Sequence, residues 1–264
     1  MSHKTVYMGI AASELKGEFD AQKIISLVDK IMAKYVEETA EDDDIKCDGY
    51  EIGGRLEGVI AAFKNSENIL KTENGTFPYQ GFNEYNAIVN NGNIGPYVID
   101  EVEYIPVNGG LKKDIAWDAI EKLDEYKSIS LLRMIFTRDP RLGGNVPEVY
   151  EIKEDGLYIN SDGQSTLVLK KGETFSEWAD RMGKQFNRNF LPPDAYIDTN
   201  GVWHDADEYW ETFQDALING NPDDMPEDPE QAASQAFLAD FEKFMDDELK
   251  DNDCFVVLDC HGFP

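Results

Sequence analysis

Basic residues are scarce in this chain. Its 264 residues include 24 Lys and Arg against 53 Asp and Glu, a formal net charge of −29. That balance excludes a general electrostatic route to bare nucleic acid or to an anionic membrane surface, because both need basic patches. Cysteine is scarce as well. Cys47, Cys254 and Cys260 are an odd set with no CxxC pair, which excludes a disulfide framework and fits free thiols in a reducing compartment. No apolar run approaches the roughly 20 residues of a membrane span. The opening MSHKTVYMGI lacks a charged region followed by a long apolar stretch, so no secretory signal is expected. The signatures GxxxxGK[ST], HExxH, GxSxG and GxGxxG are all missing, which weakens ATPase, zinc-protease, hydrolase and dinucleotide readings. The expectation is a soluble, cytoplasmic protein.

What is present is core-forming material: 41% of residues are hydrophobic and 11% aromatic, ordinary globular usage. Residues 4–12 (KTVYMGIAA) read as a strand. Ile24, Leu27, Val28, Ile31 and Tyr35 make one apolar stripe, predicting a helix over about 20–38. An acidic loop with Glu41 to Asp44 follows. Residues 48–62 (DGYEIGGRLEGVIAA) read as two strands joined, or one strand kinked, at Gly53-Gly54. The Asn- and Gly-rich stretch 65–115 reads as long loops with one strand over 97–105. Residues 116–136 read as helix, 150–170 as a hairpin or small meander, and 175–186 as a short helix.

The last quarter carries clearer signals. Residues 195–204 are a strand pair around Asn200-Gly201. Asp205 and Glu208 form a capping-box pattern before Tyr209, Trp210, Phe213 and Leu217. Asp228 followed by Pro229 starts a further helix, with Phe237, Phe241, Phe244 and Met245 on one face. CFVVLD, 254–259, is a buried-strand pattern. The expected fold is α+β: a ferredoxin-like antiparallel sheet with helices on one face. Its core is drawn from 1–64 and 191–264, and 65–190 forms a large central insertion of loops, helix and β-hairpin.

Three features could carry function. In YEIGGR, 50–55, the glycines would let a ligand approach the backbone. Tyr50 and Arg55 are the candidate ligand-binding residues, and Arg55 is one of only six arginines. The bland reading is a turn in which Arg55 neutralises Glu51 and Glu57. The second feature is the pairing of His204, at the end of one strand, with Cys260 and His261, at the end of another. If these strands were neighbours, the three would be catalytic candidates, and their convergence would suit either a metal site or a thiolate beside an imidazole. Their spacing is not that of a compact zinc motif, so no metal and no cofactor is expected. Adjacent residues on a strand face opposite ways, so one of Cys260 and His261 should be core. The third feature is acidity. Between Asp205 and Asp253 there are 17 acids and 2 bases. With apolar residues at helical spacing, the acids must crowd outward faces. Asp240, Glu242, Asp246, Asp247 and Glu248 are the candidate partner-binding residues. The loop 221–228 (NPDDMPED) lacks a calcium-loop pattern. The bland reading of this region is a solvated face.

YEIGGRLEG (50–58), AYIDTNGVWHD (195–205) and VVLDCHG (256–262) together resemble a group of bacteriophage and bacterial proteins. That group pairs an IGGRW-type motif with a later WHE-type motif and a terminal VVDCH. Here Leu56 replaces the Trp, Asp205 replaces the Glu, and a Leu is inserted in the last motif. The resemblance implies a phage or mobile-element setting, hence host cytoplasm, and a shared core that brings Arg55, His204, Cys260 and His261 into one fold. It brings no activity with it. The functional expectation is therefore an acidic interaction protein that binds a basic host protein, itself nucleic-acid-binding, as an anti-defence inhibitor or nucleic-acid mimic. Direct contact with nucleic acid or membrane is not expected. The alternative is an enzyme or a small-ligand- or metal-binding protein using the His/Cys/Arg site.

Overall fold

The computed structural model describes residues 3–41, 44–72, 77–78, 93–94, 97–142, 146–161, 163–185, 193–211 and 228–262. In chain order the elements are β1 (His3–Ile10), α1 (Ala12–Leu15), α2 (Ala21–Met32), β2 (Gly49–Ile52), β3 (Ile60–Phe63), β4 (Ile69–Lys71), β5 (Phe77–Pro78), β6 (Asn93–Ile94), β7 (Tyr97–Ile99) and β8 (Val102–Leu111). There follow α3 (Ile120–Thr137), β9 (Tyr150–Ile152), β10 (Gly156–Ser161), β11 (Gln164–Lys170), α4 (Phe175–Arg181), β12 (Ala195–Ile197), β13 (Trp203–Asp205), α5 (Pro229–Lys243) and β14 (Cys254–His261). A π-helical turn, Phe244–Glu248, extends α5.

A nine-stranded sheet organises the chain in the order β13-β12-β1-β14-β8-β3, with β2 also on β14, and β4 and β7 also on β8. The α+β class is as expected. The strict antiparallel sheet is not, because β1 and β12 pair in parallel. The ferredoxin-like order is not confirmed. β4, β7 and β8, all from the stretch read as an insertion, are strands of this same sheet. β9, β10 and β11 form the separate meander that the Gly-containing turns suggested.

Helices cover both faces of the sheet, which corrects the expectation of one. The cause lies in β1 and β14, whose side chains alternate between two buried sides. Val6, Met8, Ile10, Val256, Leu258 and Cys260 pack with Ile24, Val28 and Met32 of α2. Tyr7, Phe255 and Val257 pack on the other side with Phe237, Phe241, Phe244 and Met245. A strand buried on both faces reads as a continuous apolar run, as CFVVLDC does. A third core gathers α3, the meander and α4 around Ile129, Leu157 and Trp178.

Local chemistry sets the ends of the elements. Asp20 accepts from the backbone N–H of Gln22 and Lys23 and starts α2. That helix stops at Met32, short of the expected end, because Tyr35 gives its carbonyl to Lys46 and Cys47 and Val36 bridges to Cys47. The single strand expected over 97–105 is a hairpin. Asp100 and Glu101 both take left-handed φ, +48° and +69°, as a type I′ turn requires. Asp228 caps α5, with Pro229 at its first position. Residues 206–211 are helical after Asp205, while Phe213, Leu217 and the loop 221–227 lie outside the described residues.

The aromatic face of α5 closes one side of the sheet, so truncating it opens a cavity. Phe241→Ala should lower unfolding free energy by about 3–5 kcal/mol in chemical denaturation. A loss below about 1 kcal/mol, the size of an average surface or tolerant substitution, would mean that α5 is not anchored as described.

Candidate functional site

β14 is paired along its whole length by β1, with His3 opposite His261 and Ile10 opposite Cys254. Its other edge is divided. β8 pairs with residues 254–256 and β2 with residues 258–261. Between them the Gly53 N–H donates to the Val257 carbonyl at 2.9 Å. The sheet forks at this point, and the Gly53–Gly54 turn fills the fork.

Both glycines are required by space and by conformation. Their φ values are +77° and +49°. A Cβ on Gly53 would lie 2.6 Å from the Asn108 side chain, and one on Gly54 would lie 2.6 Å from Cβ of Asp259. The turn therefore lies flat between an amide on one side and a carboxylate on the other.

Asp259 is the hub on the second side. It is 2% exposed, and each of its oxygens has a partner. The Arg55 backbone N–H donates to Oδ2 at 2.8 Å, and Nδ1 of His3 is 2.8 Å from Oδ1. The His261 ring meets the His3 ring edge-on, with centroids 5.5 Å apart. A buried carboxylate needs such partners. Among the described residues, no group of three or more His, Cys, Asp or Glu is arranged to hold a metal ion.

On the other side of the turn a cleft of about 620 Å³ opens between α2 and β2. Ile25 and Asp29 of α2, residues 50–52 of β2, and Gly54, Glu57 and Asn108 line it. The Tyr50 hydroxyl donates to Oδ1 of Asp29 at 2.5 Å. Burial, reinforced by that bond, holds the phenol above its usual range, so Tyr50 stays a donor. Asn108 is 8% exposed, and its Oδ1 accepts from the Gly58 N–H at 3.4 Å.

The sequence candidates divide. Tyr50, opposite Cys260 in the β2–β14 ladder, lines the cleft. Arg55 binds Asp259 through its backbone while its side chain is exposed. His261 joins His3. His204 does not join them. β12 and β1 separate its strand from β14, three inter-strand steps of roughly 4.8 Å each. Its ring instead stacks on Tyr196 at 4.7 Å, with Asp198 and Glu208 each 3.7 Å from a ring nitrogen. Cys260 points into the α2-side core and is fully buried. Its hydrogen bond with Cys47, together with burial, pushes the thiol well above the ordinary range. A neutral, enclosed thiol is a poor nucleophile.

Sequence reasoning passed over His3, Asn108 and Asp29. His3 is the third histidine of the chain, and an antiparallel pairing of the two terminal strands would have placed it beside His261. Asn108 and Asp29 carry no local signal, because only the fork brings them together.

The acidic candidates form a separate surface. Asp240, Glu242, Asp246, Asp247 and Glu248 are all exposed on α5 and the π-helical turn. Asp240 accepts from the Tyr209 hydroxyl, and Glu248 pairs with Lys243 at 3.1 Å. No family model, curated protein or solved structure matches this chain.

If Asp259 holds the turn, Asp259→Ala should cost about 1–3 kcal/mol by leaving the Arg55 N–H unsatisfied. His3→Ala, at the more exposed end of the pair, should cost about 1 kcal/mol or less. Urea denaturation of both variants checks the order; a neutral Asp259→Ala would remove the hub.

Proposed function

We propose that this is an acidic interaction protein that binds a basic host protein through the outward carboxylates of α5 and its π-helical turn. One observation supports the reading. The five candidate carboxylates are exposed on a helical segment whose opposite face is locked by Phe237, Phe241 and Phe244, each 3% exposed or less. A charged array on ordered backbone forfeits less entropy on binding than the same charges on a loop. A groove built for phosphates, with one charge per ~1.7 Å of duplex axis, is the kind of surface such an array would occupy. That makes nucleic-acid mimicry, in an anti-defence role, the form of the proposal.

The alternative of a catalytic His/Cys/Arg site is not favoured by the geometry, with His204 remote and the Cys260 thiol enclosed. The proposal is tested by capturing partners from host lysate at low salt and measuring the affinity of the captured protein. Replacing Asp246, Asp247 and Glu248 together by Lys should weaken binding at least tenfold, and added salt should weaken the wild-type complex. Unchanged affinity in the triple variant would overturn the role of this surface.

A further inference from the structure

We infer that Cys47 and Cys260 are a peroxide-oxidisable pair whose disulfide fastens the segment leading into β2 to the end of β14. The pair is buried between the sheet and α2, on the opposite side from α5, so it stands independently of the carboxylate surface described above.

Topology brings the two sulfurs together. Cys260 is on β14, facing the α2 side, and is fully buried. Cys47 lies between α2 and β2, joined to Val36 by a single bridge. Its segment runs along the end of β14. The Asp48 N–H donates to the His261 carbonyl at 3.0 Å, and a Cβ on Gly262 would lie 1.7 Å from Oδ2 of Asp48. Cys47 thereby enters the same aliphatic cluster as Cys260, and the two thiols share a hydrogen bond. Two cysteines can be bridged without backbone movement only if their Cβ vectors converge. A hydrogen bond from thiol to thiol requires the same convergence.

The surroundings assign the roles. Lys4 is directly opposite Cys260 in the β1–β14 ladder, and its charge favours a thiolate at the pair. The hydrogen bond with Cys260 holds the Cys47 thiol below its ordinary range, and the same bond, with burial, holds Cys260 above it. Cys47 is therefore the sulfur that ionises first. It also lies outside any strand or helix, where local opening costs less than in a strand paired on both sides, as Cys260 is. Cys254 is the contrast. It lies about 20 Å away along β14, fully buried, and burial pushes its thiol up to about 12.

Enclosure selects a small oxidant, and a hydroperoxide is the class that fits. The Cys47 thiolate attacks one peroxide oxygen and the O–O bond breaks. Cys47 becomes a sulfenic acid, and the released alkoxide or hydroxide takes up the proton that Cys47 shed. The Cys260 sulfur then gives up its proton and displaces hydroxide from the Cys47 sulfur; proton and hydroxide leave as water. Two electrons pass from the thiols to the peroxide, and one S–S bond forms. A reducing compartment returns the pair to thiols, as transient intracellular disulfides require.

Hydrogen peroxide added to the folded, intact chain tests this, with free thiols counted by mass after alkylation. The three thiols should fall to one. A non-reducing digest should show the Cys47 and Cys260 peptides joined, and dithiothreitol should restore all three thiols. These readouts need no variant. Cys254→Ser should oxidise at the wild-type rate. Cys260→Ser should stop at a Cys47 sulfenic acid that dimedone traps, whereas Cys47→Ser should react at Cys260 at least tenfold more slowly than Cys260→Ser does at Cys47. Three thiols retained, a bridge that includes Cys254, or equal rates in the last two variants would each overturn the inference.

Discussion

The pairing of β1 with β14 is the constraint on which the rest depends. It joins residues at opposite ends of the chain over eight consecutive positions. It also fixes which side of the sheet every later side chain meets. Register is specified strongly here because both faces are buried. A slip of one residue would drive Val6, Met8 and Ile10 into the aromatic cluster, and Tyr7 into the tighter aliphatic one. Once the register is set, β14 has one edge left. Two strands, β8 and β2, compete for it and divide it, and the fork between them is a consequence of that competition.

Local signals made much of this legible. The caps Asp20 and Asp228, the Asn200-Gly201 turn, the Gly53-Gly54 break and the buried run at 254–259 all rest on chemistry within a few residues. Each marks an element of the structure. What stayed hidden depends on distance in sequence. β8 was masked by the Asn and Gly around it, although its last residues pair with β14. The Asp100-Glu101 turn has no glycine to announce its left-handed backbone. Two of the three histidines meet, but they are not the two that sequence proximity to strand ends brought together. His204 was tied to His261 by the idea that their strands were neighbours, and β1 and β12 occupy that space instead. The cleft was half legible: Tyr50 and the paired glycines were visible as a motif, whereas Asp29 and Asn108 come from elements that only the topology assembles.

A net charge of −29 opposes compaction by self-repulsion, so it matters how the fold places its acids. Many of the buried or half-buried ones are satisfied by backbone N–H groups, which substitute for scarce cations. Asp253 accepts from Ala12 and Lys250, both at 2.8 Å. The half-buried Asp198 accepts from Asn200 and Val202. Asp259 follows the same rule with Arg55, using the main chain of one of the few arginines and not its guanidinium. Such bonds satisfy the carboxylate oxygens without requiring an opposite charge nearby.

This division separates acids that build the fold from acids that do not. A carboxylate bonded to backbone N–H at a turn or helix start has a structural reason for its position, and its removal is felt by the chain. The exposed acids of α5 and of the cleft beside β2 take side-chain partners where one is described: Tyr209 for Asp240, Lys243 for Glu248 and Tyr50 for Asp29. The two surfaces differ in what else they offer. α5 presents charge on a convex helix, which suits a basic groove and reads little beyond charge. The cleft adds a strand edge that, among the described residues, has no paired neighbour.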